Sequence, residues 1–276
     1  MRIIDSQVHL WQLSNPARPW RYPNSKPHRP SDFTAEDALA EMDGAGVARA
    51  IVVPPWWEGE RNDIALSAAA KYPDRFRVMG LFDSEAPGAK EVLRTWREQP
   101  GMLGFRFSAR DPKYDTALTS GRMDWVWAAA EEYGIPVMMS VDPEEVTILR
   151  DIATRHPGLK IAVDHMARKH GAKDAAAFPT MDQLLALSRL PNVGVKASGL
   201  PSYSAQEYPY PAMIEAFRKV FDAFGPMRVF WGADMTKLPC TYKQAVEMFS
   251  REIPWLSDAD RAAVMGEALS RWLDWP

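Results

Sequence analysis

The sequence predicts a single α/β domain, one (β/α)8 barrel running over residues 1–276. Three observations predict it. Eight short apolar runs alternate with longer amphipathic runs, the rhythm and roughly 250-residue size of eight strand–helix units. No repeat, low-complexity tract or Gly/Ser linker divides them. The first strand leads into "SQVHLWQL", which is nothing like the Gly-rich phosphate loop of an open doubly wound sheet.

The strand candidates, in order, are "RIIDSQV", "ARAIVVP", "FRVMGLF", "MLGFRF", "IPVMMSV", "LKIAVDH", "NVGVKAS" and "MRVFWGA". Each is short, apolar and rich in Val, Ile, Phe or Met, as a strand buried on both faces should be. Between them lie "TAEDALAEMDGAG", "RNDIALSAAAKY", "EVLRTWREQ", "MDWVWAAAEEYG", "EEVTILRDIATRH", "TMDQLLALSRL" and "PAMIEAFRKVFDAFG", whose apolar spacing is helical. "TYKQAVEMFSREI" follows the eighth strand, and a helical segment over about 257–276 ends in the Trp-rich "SRWLDWP". Thr34 is placed to cap the first helix, and Gly44, Gly134 and Gly225 read as glycines just beyond helix ends.

The bulk composition excludes several function classes. With 33 Lys+Arg against 36 Asp+Glu and no charged blocks, nothing draws the chain to nucleic acid or an anionic membrane. The one cysteine, Cys240, allows no internal disulfide and fits a reducing compartment. There is no apolar run of spanning length. A cytoplasmic protein acting on a small molecule is the expectation, with an oligomer compatible. Eleven Trp suggest an aromatic-lined cleft.

In barrels of this kind the reacting groups sit at the C-terminal strand ends. Strict alternation in "IIDSQVHLW" puts Asp5, Gln7 and His9 on one face and Ile4, Ser6, Val8 and Leu10 on the other. Gln7 and His9 end strand one, Arg106 strand four, Ser140 and Asp142 strand five, His165 strand six, Lys196 and Ser198 strand seven, and Asp234 strand eight. By the same alternation His165 points inward with Ile161 and Val163, while Asp164 turns away toward backbone. Two imidazoles and a carboxylate form the ligand set of a zinc-type site with one open position, where bound water becomes a nucleophile near neutral pH. The same groups also work without metal, Asp234 as general base toward water and a histidine polarising a carbonyl.

These residues carry a resemblance. "IIDSQVHLW" is similar to the opening of the amidohydrolase superfamily, in its amidohydrolase-2 branch. "VDHMA", "VGVKASGL" and "VFWGAD" resemble that branch's motifs at strands six, seven and eight, "WEGERNDIALSAAAKYPDRFRVMGLFD" its second helix and third strand, and "MLGFRF" its fourth strand. The resemblance implies a hydrolase of the pyrone-dicarboxylate, sugar-acid or muconolactone lactonase kind, acting on a small, carboxylated cyclic ester in catabolism. It implies His9, His165 and Asp234 as the metal positions if one divalent metal, Zn or Mn, is bound. The sequence departs from the pattern where the family has His-x-His: here it is Gln7-Val8-His9. A neutral amide is a poorer ligand than imidazole, and Ser140 stands at another ligand position of the wider superfamily, so the reading favours metal-independent chemistry.

Catalysis is accordingly expected from Asp234, His9, His165 and Gln7, the last as an oxyanion donor or weak ligand. Arg106 and Lys196, if they face inward, suit a substrate carboxylate. Trp56 and Trp57 follow strand two and suit the wall of a ring-binding site, and His28 lies in the long loop after strand one. His170 sits after strand six, His156 reads as a helix-end dipole partner, and Cys240 as a buried thiol. A metal-dependent nonoxidative decarboxylase and a degenerate barrel that binds without turnover are the competing expectations.

Overall fold

The structure, a computed structural model, describes residues 1–114 and 116–276. Eight parallel strands follow one another round a nearly closed barrel in sequence order. They are β1 (Ile4–Val8), β2 (Arg49–Val52), β3 (Phe76–Leu81), β4 (Met102–Ser108), β5 (Val137–Ser140), β6 (Ile161–Val163), β7 (Val193–Ser198) and β8 (Val229–Gly232). The helices between them are α1 (Ala35–Ala45), α2 (Asp63–Lys71), α3 (Ala89–Arg94), α4 (Asp124–Glu132), α5 (Val146–Arg155), α6 (Met181–Ala186) and α7 (Pro211–Phe224), with α8 (Tyr242–Ser250) after β8. Each expected apolar run is a strand, as the sequence predicts.

Side chains on the outer strand faces, among them Val52, Val78, Phe105, Ile161, Val195 and Trp231, form one core with the helices. The inner faces form a second, smaller cluster of Ile4, Ile51, Val53, Met79, Leu103, Met138, Ala162 and Phe230. Ala268, Leu269, Leu273 and Trp275 join this inner cluster. The helical segment over 258–272 and the residues after it therefore plug the end of the barrel opposite the site. Each such buried apolar side chain contributes roughly 1.5–3 kcal/mol. Among the described residues no helix is long and apolar enough to cross a membrane.

Two local features differ from the expectation. Thr34 does cap α1, in a capping box with Asp37, but the terminating glycine is Gly46, at φ +75°, and Gly44 lies within the helix. The left-handed conformation that ends a helix costs glycine least, so the second glycine of "DGAG" takes it.

The second difference concerns β1, which does not alternate strictly. Its register against β2 shifts between Asp5 and Val8, the mark of a bulge that re-aims side chains. Ile4 points into the barrel and Val8 and Leu10 outward. Asp5 faces away from the cavity: it accepts from Tyr242 Oη of α8 at 2.7 Å, and from the backbone N–H groups of Gln7 and Ala233. Asp5 is thus a seam between β1 and β8, where the Gln7 carbonyl also accepts from Asp234 N–H at 3.2 Å. Burial pushes the Asp5 carboxyl up to about 6 in spite of these donors. The extra bulge residue frees Gln7 and His9 to turn inward together.

Candidate active site

The barrel mouth holds a cavity of about 270 Å³. His9, His28, Trp56, Trp57, Arg106, Ser140 and His165 line it, together with Ser108, Arg110, Arg168, His170 and Lys237. Gln7, Lys196 and Asp164 are buried side chains that interconnect some of these lining groups.

His9 follows β1, and its Nδ1 lies 2.7 Å from the Val53 carbonyl oxygen. A carbonyl only accepts, so Nδ1 carries the proton and Nε2 presents a lone pair. The Gln7 amide N–H donates to that Nε2 across 3.1 Å. The other end of the amide, Gln7 Oε1, accepts from the Lys196 ammonium. Burial lowers the His9 ring to about 4, so it is neutral near pH 7.

Asp234 follows β8 at φ +51°, a left-handed conformation that a non-glycine residue adopts at a cost. It is almost wholly buried, and neither carboxylate oxygen has a hydrogen-bond partner. Oδ1 lies 3.5 Å from His9 Nε2, and Oδ2 lies 3.1 Å from the Lys237 ammonium. Burial alone would raise its pKa, but the Lys237 charge, with His9, His165 and His28 adding to it, holds it well below the usual carboxylate range.

His165 reaches the cavity by a route that alternation misses. Ile161 and Val163 pack outward and Ala162 inward. The strand then breaks into three consecutive left-handed residues, His165, Met166 and Ala167, which swing the imidazole back over the cavity. Its Nδ1 lies 2.8 Å from Ser198 Oγ and 3.2 Å from the Ser198 carbonyl, and burial keeps the ring neutral. Asp164 is the inward residue, contrary to its expected role on backbone. It accepts from Arg106 Nε at 2.7 Å and lies 2.9 Å from Lys196 Nζ. Burial opposes its ionisation, and the two cations override that and lower its pKa.

Arg106 therefore faces inward, with Phe105 and Phe107 in the outer core, and its terminal nitrogens are left for the cavity. Lys196 also points inward but is fully buried, spent on Asp164 and Gln7 and not among the lining residues. Trp57 is buried edge-on to Trp11 and His28, while Trp56 is partly exposed. His28 is bound to Thr236 Oγ1 through Nδ1 at 2.8 Å and lies edge-on to His9. His170 lines the cavity near Arg168. Asp142 pairs with Arg110 beside the mouth. His156 instead pairs with Glu131, at 2.8 Å. Cys240 is half-buried, its thiol pKa raised by burial, and lies away from the cavity. Arg110 and Lys237, which also line the cavity, escaped the sequence reading, and Arg168 lies in the basic run "ARKHGAKD", whose charge suits acidic substrates. The signal for Lys237 was its place three residues after Asp234.

The donor set does not fit a bound divalent metal. His9 Nε2 is taken by the Gln7 amide, Gln7 Oε1 by an ammonium, and Asp234 Oδ2 faces a second ammonium. Among the described residues no group of three or more His, Cys, Asp or Glu side chains is arranged to hold a metal ion, whereas a zinc-type site asks for three such ligands.

The chain is similar to known proteins along most of its length. An L-fucono-1,5-lactonase from Burkholderia ambifaria is 28% identical over 242 residues, covering 84% of this chain and 79% of the relative. A 4-sulfomuconolactone hydrolase from Rhizobium radiobacter is 25% identical over 230 residues, 83% of this chain and 74% of the relative. A solved amidohydrolase from Burkholderia multivorans with bound Zn superposes over 100% of both chains with a TM-score of 0.84, at 22% identity. The amidohydrolase family model matches residues 4–272, nearly the whole barrel, and this chain belongs to the amidohydrolase family.

Proposed function

We propose that the protein hydrolyses a small lactone bearing an acidic group, using Asp234 to move the proton and no metal. One observation carries this reading: the buried Asp234 carboxylate, 3.5 Å from His9 Nε2 and 3.1 Å from the Lys237 ammonium, lies just behind a cavity whose lining includes two neutral imidazoles, His9 and His165, and four cationic side chains. The lactone-hydrolysing names of the two curated relatives support the substrate class.

Water enters beside Asp234, against the neutral imidazole of His165, while the His9 Nε2 lone pair stays occupied by the Gln7 amide. As the water oxygen bonds to the lactone carbonyl carbon, its proton passes to Asp234. Negative charge then builds on the former carbonyl oxygen, where the Lys237 ammonium and the free Arg106 nitrogens are preorganised to receive it. The ring C–O bond breaks, and the leaving oxygen takes the proton back from Asp234. The histidines are neutral, so they orient and do not supply the proton. Titrating acid release from a panel of carboxylated five- and six-membered lactones tests the reading, with Asp234→Asn as the inactive control.

A further inference from the structure

Arg168 is the anomaly of this cavity. Arg106 is neutralised by Asp164, Arg110 by Asp142, and Lys237 by Asp234. Arg168 lies at the cavity wall, 6% exposed, and among the described residues it has no carboxylate partner and its Nε has no hydrogen-bond partner. A buried, unpaired guanidinium is strongly unfavourable. What holds it is not an ion pair but a cation–π contact: its guanidinium carbon sits 4.1 Å from the centroid of the Tyr203 ring, and the residue's own carbonyl is pinned by Arg110 at 2.8 Å. The side chain is fixed in place, and no carboxylate among the described residues answers its charge; its Nη1 only comes within 3.4 Å of His170 Nδ1.

We propose that Arg168, held flat on Tyr203, is a specificity-determining residue that receives an anionic substituent of the substrate, a carboxylate or sulfonate. Resting on the lactone reading above, this gives the substrate two handles: one polar end at Arg106 and Lys237, near the reacting carbonyl, and an acidic end at Arg168. A planar guanidinium takes such a group through two parallel N–H bonds. Neutral sugar lactones leave Arg168 unsatisfied and are rejected on that account.

Calorimetric binding of benzene-1,3-dicarboxylate and of benzoate separates this from the catalytic reading, because it needs no turnover. The wild-type protein binds the diacid more tightly than the monoacid. Arg168→Met lowers diacid affinity about 10- to 100-fold and leaves the monoacid unchanged, and Arg168→Lys restores part of the loss. The melting temperature of Arg168→Met stays equal or rises, since an unpaired buried charge is removed. Equal diacid affinity in wild type and Arg168→Met, or no diacid binding by the wild type, overturns the proposal. A lower melting temperature with unchanged selectivity assigns Arg168 a structural role and overturns it too. Lactone turnover alongside either of these results leaves the catalytic reading standing and this one refuted.

Discussion

The side-chain amide of Gln7 bridges His9 and Lys196, donating to the imidazole Nε2 at 3.1 Å while its oxygen accepts from the buried ammonium. One residue thereby occupies the lone pair of the His9 imidazole and satisfies a charge in the barrel floor. Gln7→Leu removes both functions at once. Urea unfolding should show a loss of about 2 kcal/mol, the cost of leaving buried polar groups unpaired, and kcat should fall with it. A variant as stable and active as wild type contradicts this role.

In the proposed reaction Asp234 carries the proton in both directions, so Asp234→Asn should lower kcat on an acidic lactone by about 10²- to 10⁴-fold while KM changes little. Steady-state kinetics at pH 7 reads both quantities. A variant whose KM rises while kcat holds would instead make Asp234 a binding residue.

Lys196 is fully buried between Asp164 and Gln7. Lys196→Met leaves Arg106 to balance Asp164 alone and strips Gln7 of its donor. Breaking a buried ion pair on one side costs on the order of 3 kcal/mol, and the urea midpoint should drop accordingly. An unchanged midpoint would show that the burial cost of the ammonium already cancels its pairing.

Stability should fall on mild acidification, and the sign follows from the buried histidines. Burial holds His9 at about 4 and takes His165 well below its ordinary value. Below the ordinary histidine value near 6.5, the unfolded chain takes up protons that these rings refuse, so stability is lost as pH drops. At pH 5 this amounts to roughly 2 kcal/mol for His9, and His165 adds in the same direction. Asp5 works the other way: lifted to about 6, it is protonated first in the folded state and returns about 1 kcal/mol over the same interval. Chemical denaturation at pH 7 and pH 5 should therefore show lower stability at pH 5, and equal stability at the two values contradicts the neutral burial of these rings.

The barrel was legible because its signal is periodic and redundant: eight apolar runs, each followed by a helix whose spacing agrees. The site was legible in part because strand ends are where such barrels react. What alternation could not show is where a strand stops alternating. The bulge between Asp5 and Val8 moved Asp5 to the outer seam, and the left-handed run at His165 brought that ring to the cavity although Asp164, not His165, holds the inward place in the strand alternation. Both are backbone departures with no side-chain pattern to announce them. Lys196 was read as a substrate contact because its charge was visible in the sequence and its partners were not. Arg168 lies in the basic run "ARKHGAKD", and nothing in one dimension says that a charge in a loop will be buried against a tyrosine.

The central claim is metal-free hydrolysis of an acidic lactone through Asp234. The most direct test is acid release from carboxylated lactones by protein dialysed against a strong chelator, side by side with untreated protein and with metal content measured in both. The account predicts equal rates before and after chelation and loss of activity in Asp234→Asn. A rate that disappears with the chelator and returns on adding Zn or Mn would contradict it.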